Sequence, residues 1–197
     1  TGAPVSGASR FNVNAKSPLT DGLGDSQAGG FWGTELKYAG LDAVVITGRA
    51  AEPSLLWIHD GKYEIKDATE IWGMETGPAQ DAVRKSVGEP RARVALIGPA
   101  GENLVRFACI TNALRHYNGR KGMGAVMGSK NLKAIAVRGK KRPEVKDKAA
   151  ISELAKWGVA AFPTSGVAGM RDHGTAQTVA AQQVVGGLPT RNWESGV

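Results

Sequence analysis

The sequence predicts an α+β fold: two pseudo-symmetric β-rich halves with short helices, followed by the start of a helical domain. Three observations carry that expectation. Up to about residue 142, apolar runs of strand length alternate with glycine-rich loops and brief helical patterns. Within this region two stretches resemble each other 91 positions apart: Gly33, Leu41, Ala43 and Gly48 recur as Gly124, Leu132, Ala134 and Gly139, and AVVITG lies over AIAVRG. Each copy reads strand, long glycine loop, short helix, apolar strand, glycine, which is the mark of a duplicated half-domain. Beyond Lys148, alanine-rich helical spacing takes over and nothing strand-like returns. The expected division is 1–145 as a base domain and 146–197 as the beginning of a second, helical one.

Each element has a local reason. SRFNVNAK (Ser9–Lys16) alternates as a strand does, and SPLTDGLGDSQAGG after it reads as a long loop of turn formers. FWGTELKYAG makes two or three helical turns closed by Gly40, and LDAVVITG follows as an apolar strand. SLLWIHDGKYEIK is a hairpin, because Asp60-Gly61 suits a type I′ turn, in which both residues take positive φ. TGPAQDAVRKSVG is a helix capped by Thr76 and ended by Gly88, with the strand RVALIG behind it. The strand LVRFACI, a basic glycine loop, a short helix near AVMGSKN and the strand LKAIAVRG complete the first part. AAISELAKWGVAAF and TAQTVAAQQVVG are the helices of the second.

Composition narrows the function. The 197 residues are 42% hydrophobic and 22% charged, ordinary globular usage that indicates neither disorder nor a membrane protein. No apolar run approaches the roughly 18 residues that a membrane span needs, and no signal peptide opens the chain, so a cytoplasmic protein without a membrane partner is expected. The chain begins at TGAPVSG without methionine and stops at NWESGV, and reads as an excised piece. The lone Cys109 excludes an internal disulfide, and it excludes a cysteine-clamped zinc or iron–sulfur site built from this chain alone.

The net charge of +7 is concentrated. No acid stands between Glu102 and Glu144, while Arg106, Arg115, Arg120, Lys121, Lys130, Lys133, Arg138, Lys140, Lys141 and Arg142 all fall there. RGKKRPEVKDK reads as a solvated linker, but the stretch from Arg115 to Lys133 interleaves its bases with four glycines. Glycine lets backbone N–H groups form a concave nest for an anion, and arginine adds a planar fork for phosphate. Gly119-Arg120 and Gly122-x-Gly124 offer both devices, so phosphate is the expected guest.

GMGAVMG is not a dinucleotide loop, because the preceding strand ends too early and Glu144 sits in a charged linker. GAVMGSK has the wrong ending for a Walker loop. Trp32, Trp57, Trp72, Trp157 and Trp193 are too scattered for a stacking platform, so nucleic acid is not the expected partner, and a basic module binding nucleotides or nucleic acid is the alternative. His59, His116 and His173 are far apart and no nucleophile elbow is present, so no catalytic residue is assigned and the chemistry belongs to a cofactor.

RFNVNAKSPLTDGLGDSQAGGFWGTELKYAGLDAVVITGRA, IGPAGENLVRFACITN and GRKGMGAVMGSKNLKAIAVRG closely resemble the amino-terminal domain of the tungsten-containing aldehyde ferredoxin oxidoreductase family. The resemblance runs from Ser9 to Gly139, and the tail through GLPTRNWESGV looks like entry into that family's next, helical domain. It implies a base domain of two related halves that carries tungsten, or molybdenum, bound by two pyranopterins. Arg10, Gly29, Gly30, Gly119, Arg120 and Gly122 match cofactor-binding positions. Gln27 stands where the family commonly has asparagine, and its main-chain carbonyl, with that of Tyr117, would face a magnesium ion linking the two phosphates. The second loop departs from the frequent Arg-Ala-Ala-Gly-Arg form: here it is His116-Tyr117-Asn118-Gly119-Arg120, with an arginine one step earlier as Arg115. The resemblance therefore implies Arg115, His116 and Tyr117 among the cofactor-binding residues, and the bulkier Tyr117 and Asn118 imply altered cofactor contacts or substrate.

The resemblance further implies oxidation of a small aldehyde to a carboxylate, with electrons passing through a 4Fe-4S cluster to ferredoxin or another electron-transfer subunit. The cluster ligands would lie downstream, in the remainder of the polypeptide, and a homo-oligomer is an open expectation. A related tungsten reductase acting on an aromatic thioester is the alternative within the family.

Overall fold

A computed structural model describes residues 2–194; Thr1 and the last three residues of the closing NWESGV lie outside them. By internal contact the chain divides into two compact units, 1–146 and 147–197.

The first unit holds two sheets. Strands β1 (Phe11–Lys16) and β2 (Leu23–Ala28) form an antiparallel pair in which Asn12 faces Gln27. The larger sheet has the order β4-β3-β8-β5-β6-β7, from β3 (Ser54–His59), β4 (Lys62–Asp67), β5 (Arg93–Leu96), β6 (Ile110–Asn112), β7 (His116–Asn118) and β8 (Leu132–Arg138). Only the β3/β8 pairing is parallel. The β3–β4 hairpin turns at Asp60 and Gly61, both at positive φ, as that dipeptide predicts.

Two-residue periodicity sorts this sheet's side chains onto two cores. On one face Ile58, Ala95 and Val137 pack with Trp32 and Leu36 of α1 (Trp32–Tyr38) and with Met123 and Met127 of α4 (Met123–Ser129). On the other, Leu55, Trp57, Val94, Leu96, Ala134 and Ala136 meet Ala79 and Val83 of α2 (Thr76–Val87). Helix α2 ends at the left-handed Gly88 as expected, but Glu75 is its N-cap and no side chain caps it, so Thr76 is the first helical residue.

The glycines of the basic stretch have a packing duty that the sequence did not reveal. Helix α4 lies directly on main chain. A Cβ at Gly128 would fall 1.9 Å from the Gly101 carbonyl oxygen of α3 (Pro99–Glu102), and one at Gly122, whose φ is +72°, would fall 1.9 Å from that of Arg106.

Four strand assignments change. β2 lies inside the first expected loop, its turn formers carried by the pairing with β1, and β7 lies inside the expected basic loop, paired with β6. LVRFACI pairs only from Ile110: Leu104 sits at positive φ, Phe107 is exposed, and the Ala108 carbonyl is taken by the Gly124 N–H. LDAVVITG forms no ladder, and Val45 is 86% exposed.

The duplication is visible nonetheless. At the same spacing α1 corresponds to α4, residues 25–27 of β2 to β7, and 41–47 to β8, and each copy has an antiparallel pair ahead of its helix.

In the second unit, the Asp147 carboxylate accepts from the Ala150 N–H (2.9 Å) and caps α5 (Lys148–Ala161). Helices α6 (Ala168–His173) and α7 (Val179–Val184) follow, joined through a short 3₁₀ turn at Gly174–Thr178.

Candidate anion-binding site

The site is built where β2 meets β7, two strands that share no ladder. β2 alternates, so Gly24, Ser26 and Ala28 are buried while Leu23, Asp25 and Gln27 face out. Buried Ser26 is the node. Its carbonyl oxygen accepts from Asn118 Nδ2 at 2.7 Å, and its hydroxyl oxygen accepts from the Arg120 N–H at 3.2 Å. Asn112 makes a second tie: its Nδ2 donates to the Gly29 carbonyl (3.2 Å) and to that of His116 (3.4 Å). Ser17 makes a third by donating from its hydroxyl to the Lys121 carbonyl (2.8 Å). These bonds set the first loop, Gln27–Gly30, against the second, His116–Arg120.

Gly30 shows how close that approach is. Its φ is +88°, and a Cβ there would lie 2.2 Å from Asn112 Oδ1 and 2.8 Å from the His116 ring. Its carbonyl is held by the Ser9 hydroxyl (2.9 Å), which also bonds Thr34 Oγ1 (2.7 Å). On the other side, Ala113 and Leu114, the turn between β6 and β7, both adopt positive φ without being glycine. Such strain persists only where the surroundings impose it, and it is concentrated at functional sites. Tyr117 braces the turn, its hydroxyl donating to the Leu114 carbonyl at 3.1 Å.

The residues expected at the site fall into place unevenly. Gln27, Gly29 and Gly30 are brought beside His116, Tyr117, Gly119 and Arg120. Arg10, just before β1, reaches the Gln27 side chain at 3.5 Å, so it borders the first loop. Arg115 is exposed in the strained turn, whereas Gly122 is buried against the Arg106 carbonyl. The chemistry of this set suits an anionic group. Arg115 and Arg120 enter no ion pair among the described residues, His116 is half-buried between the loops, and the backbone at Gly119 has open space around it. Neither of the two large clefts is this site: they measure about 840 and 520 Å³, flank residues 41–48, and are lined mostly by apolar side chains. The larger includes Arg10, but neither includes Gly29, His116 or Arg120.

Several bases of the charge run are internal instead. Lys133 is completely buried, paired with Glu102 and donating to the Met74 carbonyl at 2.9 Å, while Glu102 accepts from the Gly73 N–H at 2.9 Å. Arg138 pairs with Glu35, which also accepts from the Gly139 N–H. Lys130 donates to the Gly48 carbonyl. Ser26 and Asn112 are not legible in the sequence, and Asn118 stands out there only as a bulky departure in the second loop, not as a tie to Ser26. The one linear signal of Asn112 is its position before the tight turn.

Among the described residues no group of His, Cys, Asp and Glu side chains is arranged to hold a metal ion. A metal at this site would be held by main-chain oxygens or through an organic ligand. Three buried polar oxygens here have no partner: Thr111 Oγ1, Asn112 Oδ1 and Asn118 Oδ1.

Two glycine-bearing loops thus meet on an α+β base, where β2 approaches β7. The chain matches the model of the aldehyde ferredoxin oxidoreductase N-terminal domain over residues 1–139, and it belongs to that family. It is 45% identical to the tungsten-containing aldehyde ferredoxin oxidoreductase of Pyrococcus abyssi over its whole length, covering 32% of that protein. It is 39% identical over 75% of its length to the WOR-like subunit of an aliphatic sulfonate oxidoreductase from Pyrococcus furiosus, of which it covers 26%. Among solved structures it resembles the active-site complex of benzoyl coenzyme A reductase bound to 1,5-dienoyl-CoA, with a TM-score of 0.78 and 39% identity over 83% of this chain and 25% of that one. The chain thus spans about a third of the full-length oxidoreductases it matches. No described helix is long and apolar enough to cross a membrane.

Proposed function

We propose that this chain is the cofactor-cradling part of a tungsten oxidoreductase, in which Gln27–Gly30 and His116–Arg120 hold the phosphate ends of a tungsten bis-pyranopterin. One observation carries the reading: the hydrogen bonds of Ser26 and Asn112 set the glycine-bearing loop Gln27–Gly30, bordered by Arg10, against the loop that carries Arg120. When bound, the metal pterin supplies the redox chemistry, in which an aldehyde and water become a carboxylate, three protons and two electrons. The Arg120 guanidinium grips phosphate through parallel N–H bonds, and the open backbone at Gly119 admits the anion closely. Arg10 acts from beside the first loop and His116 from within the second. The main-chain carbonyls of Gln27 and Tyr117 would supply hard oxygen donors to a magnesium ion held with the phosphates. The protein's work in this domain is binding and orientation. A 4Fe-4S cluster held by the rest of a longer polypeptide would supply the electron path toward ferredoxin, and the substrate pocket would be completed there as well. Elemental and pterin analysis of the full-length protein tests this: tungsten and pterin should co-purify, and a protein free of both would refute it.

A second reading is a reductase acting on an aromatic thioester, favoured by the likeness to the benzoyl coenzyme A reductase complex. Assays of the intact protein with aldehydes and with aromatic thioesters separate the two.

A further inference from the structure

The seam between the loops assigns a role to two side chains that no family-level reading names. We propose that Asn112 and Asn118 are positioning residues that set the gap between the two anion loops and thereby aim Arg120; the inference rests on the reading of the site as a cofactor cradle.

Both carboxamides are almost wholly buried, at 1% and 0% exposure. The β6–β7 register, with Ile110 opposite Asn118 and Asn112 opposite His116, puts both on the same face of the hairpin. Each spends its NH₂ group on a carbonyl of the opposite loop, Asn118 on Ser26 and Asn112 on Gly29. That fixes the orientation of each amide, since a flipped one would point oxygen at oxygen. Each Oδ1 is left buried without a donor, so neither side chain is placed to satisfy itself fully. What each does achieve is to hold two chain segments together. Asn118 acts on Arg120 through a single residue: it holds the Ser26 carbonyl, and the Ser26 hydroxyl oxygen takes the Arg120 N–H. Asn112 sets the other end, with its Oδ1 pressed against Gly30 so tightly that only glycine fits. An alanine at 118 keeps the strand but has no group to reach Ser26.

The test uses the full-length protein with its cofactor. Tungsten and pterin retained on prolonged dialysis are measured for wild type, Asn118→Ala, Ser26→Ala, Arg120→Ala and the double variant Asn118→Ala/Arg120→Ala. Asn118→Ala should lose cofactor about tenfold faster than wild type. The double variant should lose it no faster than Arg120→Ala alone, because the effect of Asn118 is routed through Arg120. Wild-type retention by Asn118→Ala, or independent losses that multiply in the double variant, would overturn the proposal. Should Asn118→Ala fail to fold, Ser26→Ala decides: it removes one oxygen atom, and full retention there overturns the proposal equally. A wild-type protein without tungsten or pterin would instead overturn the cradle reading itself, and this inference with it.

Discussion

The backbone N–H of Arg120 donates to the hydroxyl oxygen of Ser26, 94 positions earlier in the chain, at 3.2 Å. Strand β2 thereby carries the node for the second loop, while its neighbour Gln27 meets Arg10 from just ahead of β1. Residues far apart in sequence converge on two adjacent positions of one short strand.

The first prediction concerns the guanidinium itself. In the full-length enzyme Arg120→Ala should lower tungsten content and activity together, since a charge-assisted phosphate contact is worth about 1.5–3 kcal/mol. Arg120→Lys should restore part of the loading, because it keeps the charge but not the planar fork. Metal analysis beside turnover measures both, and normal loading in the alanine variant would remove Arg120 from the site.

Gly30→Ala should damage the seam without touching any charge. The new methyl would meet Asn112 Oδ1 and the His116 ring at a φ of +88°. A loss of about 1–3 kcal/mol in unfolding free energy is expected from strain at such a position, with lower cofactor content. Chemical denaturation followed by tryptophan fluorescence reads the first quantity, and an unchanged midpoint would contradict the close approach.

The buried pair of Lys133 and Glu102 makes an asymmetric prediction. Lys133→Met alone strands a carboxylate that also holds the Gly73 N–H, and should destabilise by about 3–5 kcal/mol. Replacing both partners with apolar residues should recover much of that loss. Urea titrations of the two singles and the double would show it; additive losses would be the contrary result.

Acid should weaken the fold in part through Glu89. Its carboxyl is held below the ordinary value of 4.5, first by the backbone N–H of Arg91 and then by the guanidinium groups of Arg91 and Arg138, with burial opposing them. A depressed folded-state pKa means that this stabilisation is complete above about pH 4.5 and fades as the pH falls through the lower folded value. Glu89→Gln should therefore be less stable than wild type at neutral pH, with the difference shrinking below pH 4.5, as melting curves across that range would record.

What could be read from the sequence was what neighbours along the chain decide. Asp60-Gly61 dictates its own turn, Gly88 stops its own helix, and the apolar period of LKAIAVRG marks a strand, although one that hides Lys133. LDAVVITG has the same composition but forms no ladder, because a strand needs partners and its flanks are the two apolar clefts. β2 has the opposite history: turn formers hold a strand there because β1 pairs with them. In the site, Gly119 and Arg120 are visible as residue types suited to anions, while Gly29 and Gly30 enter only through the family resemblance. The clamping roles of Asn112, Asn118 and Ser26 are not visible, since their partners lie 83 to 94 positions away and nothing local distinguishes a clamp from an ordinary polar residue.

The two sheets are sewn to each other by side chains where a continuous ladder would have made them one. A ladder would lock the spacing of its strands at a universal few ångströms, but a seam of asparagine and serine can be let out or taken in by a single codon while both registers stay intact. The distance between the two loops is thus a quantity that one side chain can alter while the floor beneath them stays as it is.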